Sequence, residues 1–205
     1  RAADIVEFSN ETIYRVGPLV AASEYQEPTS VQAATRMPDA AEWLVAIASE
    51  INNMFHVKKC LQKVETDSIP HDAVVLKMKM VFKVKRDENG LLQQRKARLV
   101  VCGYTQIQGV HFTESFAPTA AASSFRLFLI LSLELRLTKS HIDVSAAFLN
   151  SDCRHENYCR LPPGVLFEGT SIVRMVKNIY GTHDAAIGWY DDQHKLLTQL
   201  IPGIH

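Results

Sequence analysis

The chain has 205 residues, enough for one domain or one and a half, and hydrophobic residues make up 47% of it, as in a globular protein. Its 22 basic and 22 acidic side chains give a formal net charge of zero, so no overall field favours nucleic acid, a membrane surface or anionic ligands. No apolar run reaches the roughly 18 residues that a membrane-spanning helix needs, so we expect no membrane partner.

The first clear pattern in the chain predicts a helix. Residues 1–36 show no clear period, and the stretch YQEPTS has the composition of a turn or linker. In PDAAEWLVAIASEI, which follows, Pro38 suits the first turn of a helix. Trp43, Ile47 and Ile51 then recur at helical spacing and predict a stripe that faces the core.

Residues 74–102 carry the strongest pattern in the sequence. In VVLKMKMVFKVKR, apolar residues alternate with mostly basic ones, which predicts a strand with one apolar and one basic face. Asn89 and Gly90 form a strong turn signal, and LLQQRKARLVVCGY returns as a second strand. The sequence therefore predicts a long β-hairpin.

This hairpin concentrates the positive charge of a neutral chain. Eight of the 22 basic residues lie on it: Lys77, Lys79, Lys83, Lys85, Arg86, Arg95, Lys96 and Arg98. One explanation is a solvated outer face whose lysines discourage pairing between sheet edges. The alternative is a surface that contacts the phosphates of a nucleic acid or a nucleotide.

An acid inside an apolar run raises a second functional question. SSFRLFLILSLELRL, residues 123–137, predicts a buried helix, and HIDVSAAFLN, residues 141–150, predicts a short strand that leads into a turn. Burying an unpaired carboxylate is costly, so Asp143 needs a backbone amide, a basic side chain or a metal ion as its partner. The alternative is an aspartate that ends a strand and caps the next turn.

The last third of the chain predicts short extended segments and one more helix. NYCRLPPGV and SIVRMVKNIYG have the composition of strands, and DAAIGWYDDQHKLLTQL predicts a helix with Asp184 at its N-cap. The four cysteines are irregularly spaced and no signal peptide precedes them. We therefore expect an intracellular location, in the cytoplasm or the nucleus.

Several motifs in order along the chain resemble a known family. They are WLVAIASEI, MVFKVKRDENGLLQQRKARLVVCGYTQ, HFTESFAPTAAASSFRLFLIL, HIDVSAAFLN, LPPGV, NIYG and GWY. From about Glu27 to about Leu200 they closely resemble the reverse transcriptase of copia-type LTR retrotransposons. The resemblance implies an α+β fold with the fingers and an incomplete palm of a right-hand polymerase. It also implies a poorly determined segment over residues 1–36 and a reverse transcriptase domain over residues 37–205, with the basic hairpin in the fingers.

The resemblance assigns roles to individual residues. Asp143 corresponds to a catalytic carboxylate that, with the Val144 carbonyl, holds Mg²⁺ (or Mn²⁺). Phe148 corresponds to the aromatic residue under the nucleotide sugar, although a plain core phenylalanine is the alternative. The residues expected to reach the triphosphate are Arg95, Lys96 and Arg98. Those expected to contact nucleic acid are Lys77, Lys79, Lys83, Lys85 and Arg86. The implied partners are an RNA or DNA template-primer, deoxynucleotide triphosphates and the rest of a retrotransposon polyprotein.

The sequence also departs from the family pattern. The family carries a second acidic motif, tyrosine-valine-aspartate-aspartate, and this chain ends before it; the WYDD sequence lies in a helical pattern instead. In YGTHDAA, His183, Asp184 and Ala186 replace a lysine, a glutamine and a proline. We therefore expect an RNA-directed DNA polymerase domain, truncated before the second motif and inactive as an isolated chain. The alternatives are a non-catalytic nucleic-acid-binding remnant and a non-functional pseudogene product.

Overall fold

The chain forms an α+β fold, seen in a computed structural model that describes residues 6–7 and 25–201. In chain order its helices and strands are β1 (Val6–Glu7), α1 (Val31–Thr35), α2 (Ala40–Asn52), β2 (Leu61–Lys63), β3 (Leu76–Arg86), β4 (Leu92–Val101), α3 (Ala122–Glu134), β5 (Tyr158–Arg160), β6 (Val165–Leu166), β7 (Ile172–Met175) and α4 (Ala185–Leu200). Five strands form one sheet in the order β2-β7-β5-β3-β4, and β1 pairs in parallel with β6. The predicted α+β class is confirmed.

Strands β3 and β4 form the long hairpin that the two-residue period predicted. They pair antiparallel, and the Asp87 carboxylate accepts the N–H groups of Asn89 and Leu91 at 2.9 and 2.8 Å to close the turn. Gly90 has a φ of +78°, a conformation that glycine adopts without strain. A shift of one residue in register would turn the lysines of β3 toward the core, so the alternating pattern itself specifies the pairing.

Helix α2 covers the apolar face of the hairpin. Trp43 and Ile47 are fully buried and Ile51 is 2% exposed, which confirms the predicted stripe. The Trp43 ring meets Phe82 of β3 edge-on, with ring centroids 5.3 Å apart. A π-helical turn, Asn53–Val57, continues the helix and adds two more buried side chains to the same core.

An ion-pair cluster joins β4 to the beginning of α2. The Arg95 Nε donates to the Asp39 carboxylate at 2.5 Å, and a second guanidinium nitrogen pairs with Glu42. These side chains are only 10 to 14% exposed. The Tyr25 hydroxyl also donates to Asp39 at 2.5 Å and accepts from the Trp43 indole N–H at 2.7 Å. The cluster therefore connects the segment before α1, the start of α2 and the hairpin.

The N-terminal stretch without a clear period contributes to the core where the structure describes it. The side chain of Ser30 accepts the Ala33 N–H at 3.1 Å and caps α1. Val31 and Ala34 of this short helix are buried against α2. The rest of this predicted segment, apart from residues 6–7 and 25–36, lies outside the described residues.

Helix α3 forms where it was predicted, but the prediction that it is buried is wrong. Among its residues only Ser132 is buried, and Phe125, Phe128 and Leu133 are 53 to 70% exposed. Its apolar side chains point in all directions, a pattern that predicts burial only where neighbouring elements can surround the helix. Among the described elements, none packs extensively against α3.

The segment around Asp143 also differs from its prediction. Residues 141–145 are exposed and form no strand, because no described strand pairs with them. Ala146 then adopts a φ of +54°, and the 3-10 turn Ala147–Asn150 follows, with Leu149 buried as its anchor. The predicted turn is confirmed, and the predicted strand before it is wrong.

Asp184 occupies the predicted N-cap position of the last helix, α4, but its side chain does not form the capping hydrogen bond.

Within the described residues, no helix is both long enough and apolar enough to cross a bilayer.

Replacing Arg95 by alanine should lower the free energy of unfolding by about 3 kcal/mol, because Asp39 and Glu42 would keep their buried charges without a cationic partner. Urea unfolding followed by tryptophan fluorescence measures this loss. Lys79→Ala, on the exposed face of β3, is the control and should change the stability by less than about 0.5 kcal/mol. Equal, small losses in the two variants would contradict the structural role of Arg95.

Candidate nucleic-acid interface

The outward face of the hairpin gathers cations around one cavity of about 300 Å³. Its lining residues are Val81, Lys83, Val84, Lys85, Lys96 and Arg98. The antiparallel register causes this convergence, because it sets Lys83 opposite Lys96 and Val81 opposite Arg98. We call this cavity the basic pocket.

Three cations of the basic pocket are not held by a salt bridge. In the described part of the chain, Lys85, Lys96 and Arg98 form no salt bridge. The pKa of Lys96 lies below its ordinary value because the Lys85 side chain is beside it, because it is partly buried and because Arg98 is near. A bound polyanion would relieve this repulsion, so the pocket is suited to phosphate groups.

An acid lies on the outer edge of β4 near these cations. One oxygen of the Glu50 carboxylate accepts the Leu99 N–H at 3.0 Å. Burial raises the pKa of Glu50, while the bond from Leu99 and the charges of Arg98 and Lys96 act in the opposite direction. Glu50 thus satisfies an edge amide of the hairpin and supports the strand that carries the cations.

An aromatic pair extends the site from Arg98 to Phe148. The Arg98 guanidinium carbon lies 5.5 Å from the centre of the Tyr180 ring, and the Phe148 ring centre lies 6.0 Å from that ring. The Val101 N–H donates to the Tyr180 carbonyl at 2.9 Å and fixes its backbone beside β4. A Cβ on Gly181 would lie 2.2 Å from the Val101 carbonyl oxygen, so this close approach requires glycine.

Tyr180 is a site residue that sequence reasoning missed. Two residues predicted to bind the nucleotide, Arg98 and Phe148, are brought together through it. Burial raises the pKa of its hydroxyl, so it stays neutral and can donate a hydrogen bond. The NIYG motif contained the signal, since an aromatic residue before a glycine was part of the family pattern.

Arg95 does not join the other predicted nucleotide-binding residues. It lies on the core face of β4, where Asp39 and Glu42 hold its guanidinium, whereas Lys96 and Arg98 lie on the outward face. Arg95 therefore joins β4 to α2 in the folded chain, because adjacent residues of a strand point to opposite faces, and its predicted contact with a triphosphate stays a prediction.

The cations predicted to contact nucleic acid are on the exposed surface of β3. Lys77 and Lys79 are exposed near its beginning, and Arg86 is exposed at its end, where it donates to the Gly90 carbonyl at 3.3 Å. Lys83 and Lys85 lie between these two groups along β3 and line the basic pocket. Together these side chains form a positive strip along one strand, and such a strip can contact successive phosphates of a nucleic-acid backbone.

Asp143 and Val144 do not by themselves fit a magnesium site. Both residues are exposed, in a stretch without strand pairing. In the part of the chain that the structure describes, no three histidine, cysteine or acidic side chains come close enough to hold a metal ion. Mg²⁺ binds through several oxygens at near-octahedral geometry, and one exposed carboxylate with a carbonyl provides only part of that set.

The substituted segment YGTHDAA does not present its acid on the surface. The His183 ring stacks on Phe112 with centres 4.6 Å apart, and its backbone N–H donates to the Gln106 side chain at 2.8 Å. Asp184 is 3% exposed, and neither carboxylate oxygen has a partner among the described residues. Asp184 is therefore buried rather than placed where it would meet a phosphate at the surface.

Comparison with known proteins identifies relatives that cover most of the chain. The family model for "Reverse transcriptase (RNA-dependent DNA polymerase)" matches residues 62–201. The Pol polyprotein of the tobacco transposon TNT 1-94 is 33% identical over 173 residues, which is 82% of this chain and 12% of that protein. The Pol polyprotein of the Arabidopsis thaliana transposon RE2 is 30% identical over 194 residues. That match covers 93% of this chain and 13% of the relative.

More distant relatives extend the similarity beyond plants. The Gag-Pol polyprotein of the yeast transposon Ty1-DR4 is 27% identical over 125 residues, 61% of this chain and 7% of that protein. The chain thus spans about an eighth or less of the length of these curated relatives. No solved structure matches it.

The raised pKa of Glu50 predicts a pH-dependent effect on stability. Because the folded state disfavours the ionised carboxylate, stability should fall as pH rises from the unfolded pKa, about 4.3, through the raised folded pKa. Glu50→Gln keeps an oxygen for the Leu99 N–H but removes the charge, so it should be more stable than the original chain at pH 7.

Urea unfolding at pH 7 and near pH 4 checks this, and the difference between the two chains should shrink at the lower pH. Glu88→Gln, in the exposed turn, is the matched control and should show little change. If the Glu50→Gln chain is less stable at pH 7, the attraction of the Glu50 carboxylate to Arg98 and Lys96 outweighs the cost of burying its charge.

Proposed function

The chain belongs to the reverse transcriptase family of copia-type retrotransposons, and from this membership we propose that it supplies the phosphate-binding face of an RNA-directed DNA polymerase. In this proposal the β3–β4 hairpin is part of the fingers, and α3 with residues 141–150 begins the palm. The observation that carries the proposal is the basic pocket, where Lys85, Lys96 and Arg98 converge and, among the described residues, form no salt bridge.

The chemistry of the pocket suits a nucleotide or a nucleic-acid backbone. Arg98 can present its planar guanidinium to two phosphate oxygens, and Lys85 and Lys96 add point charges. The Tyr180 ring lies next to Arg98 and the Phe148 ring lies next to Tyr180, at a position where the two rings can contact a sugar or a base. The neighbouring cations Lys77, Lys79, Lys83 and Arg86 would follow the backbone of a template or primer.

Catalysis requires more than this chain provides in its 205 residues. Reverse transcriptases use divalent metal ions, and Asp143 with the Val144 carbonyl is the position at which the family would bind Mg²⁺ or Mn²⁺. A two-metal mechanism must stabilise both the attacking and the leaving oxygen, which one carboxylate cannot do. The sequence contains no tyrosine-valine-aspartate-aspartate motif. We infer that the chain alone binds its substrates without joining them, and that other parts of a polyprotein complete the enzyme.

The basic pocket should give the chain weak, sequence-independent binding to single-stranded RNA and DNA, with strong salt dependence. Replacing Lys85, Lys96 and Arg98 together by alanine should reduce the slope of log affinity against log salt by about two, at about 0.7 per lost phosphate contact. Fluorescence anisotropy of a labelled oligonucleotide at several salt concentrations measures the slope.

The matched control removes three cations from other elements: Lys63 of β2, Arg174 of β7 and Lys195 of α4. This variant has the same net charge as the pocket variant and should lose much less of the slope. Equal losses would show that the hairpin is only a solvated face, as its lysine-rich edge also allows. No binding in the unaltered chain would favour a remnant without function.

The isolated chain should not extend a primer at a detectable rate, because removing even one electrostatic contact to a transition state costs about 10²–10³ in rate and here a whole set of metal ligands is absent from the sequence. The assay combines the purified chain, a primed RNA template, deoxynucleotides and Mg²⁺ or Mn²⁺, with an active reverse transcriptase as the positive control. Extension that disappears in Asp143→Asn would contradict the proposal.

A further inference from the structure

One acidic side chain of the N-terminal segment is bound at the rim of the basic pocket. The two oxygens of the Glu27 carboxylate have different partners: one accepts the Val84 backbone N–H at 2.9 Å, and the other lies 3.1 Å from the Lys83 ammonium. Both partners line the pocket. The pKa of Glu27 lies below its ordinary value, first because of the bond from Val84 and then because of Lys83, so the group is ionised at neutral pH.

The position of Glu27 is set by the edge of strand β3. Among the described strands, β5 pairs with β3 only at Leu76 and Lys77. Further along this strand, the Val84 N–H is available to another group, and Glu27 occupies it. A backbone N–H beside an ammonium group is a pair of donors that binds phosphate oxygens as readily as carboxylate oxygens.

The segment that carries Glu27 is held firmly on both sides. Two residues before it, the Tyr25 hydroxyl donates to Asp39 and accepts from Trp43. Three residues after it, Ser30 caps α1. Between these anchors, the described contacts of the Glu27 side chain are those with Val84 and Lys83, and that side chain is 31% exposed. The carboxylate can therefore leave the pocket without disturbing the core.

We propose that Glu27 is an internal competitor for the basic pocket, a carboxylate that occupies the Val84 N–H and Lys83 until a phosphate group of a nucleic acid displaces it. The inference rests on the proposed function, because it assumes that the pocket binds phosphate. It adds a specific cost to binding, since Lys83 must exchange one anion for another. Lys85, Lys96 and Arg98, which have no such partner, bind without this exchange.

Glu27→Gln tests the proposal, because glutamine keeps an oxygen for the Val84 N–H and removes the negative charge. The probe is a fluorescein-labelled single-stranded oligonucleotide, and its affinity is measured against salt concentration. Glu27→Gln should bind several-fold more tightly than the original chain, with a salt slope steeper by about 0.7, the value for one more phosphate contact on a single strand. Lys83→Ala should lower the slope more in the Glu27→Gln background than in the original chain, since only there is Lys83 free.

Glu168→Gln is the matched control, because Glu168 forms a similar exposed contact with Lys63, at 4.0 Å, on a different edge of the sheet. It changes the net charge equally and should leave the affinity within about twofold of the original. If Glu27→Gln and Glu168→Gln raise affinity equally, the effect is net charge and the proposal is overturned. If the original chain and Glu27→Gln bind equally well, the competition is overturned while the proposed function stands. If neither binds, both are overturned.

Discussion

The alternation of apolar and basic side chains along β3 is the constraint on which the rest of the structure depends. Its apolar face requires a cover, and α2 provides it through Trp43 and Ile47. Its other face must then point outward, and antiparallel pairing with β4 brings Lys96 and Arg98 opposite the lysines of β3. Core formation and the gathering of positive charge are therefore two results of one pattern, and neither can be changed by a shift in register without losing the other.

The alternation of side chains between the two faces of a strand also explains why two arginines of β4, three residues apart, have different roles. Arg95 lies on the core face, where burial requires counter-charges, and Asp39 and Glu42 provide them. Arg98 lies on the outward face, where it contacts the Tyr180 ring and keeps its charge available. A neutral chain thus uses some of its acids to stabilise the hairpin from the inside, and leaves the outside of the hairpin positive.

Local patterns in the sequence were enough to predict the hairpin, its turn and the buried stripe of α2. The exposure of α3 and Asp143 could not be predicted, because an apolar helix or strand is buried only if another element packs against it. The role of Arg95 depends on contacts with α2 across 50 or more positions of sequence. Glu27 stands in a stretch without a period, and the NIYG motif marks Tyr180 without showing its neighbours, so only the folded structure shows what they contact.

The central claim is that the outward face of the hairpin binds phosphate, and lysine side-chain NMR tests it most directly. The chain is titrated with inorganic tripolyphosphate while the side-chain signals of each lysine are followed. We expect the signals of Lys85 and Lys96 to shift together and the lowered pKa of Lys96 to rise as the anion binds, while Lys63 and Lys195 change little. Uniform shifts of all lysines, or an unchanged pKa of Lys96 at saturation, would contradict it.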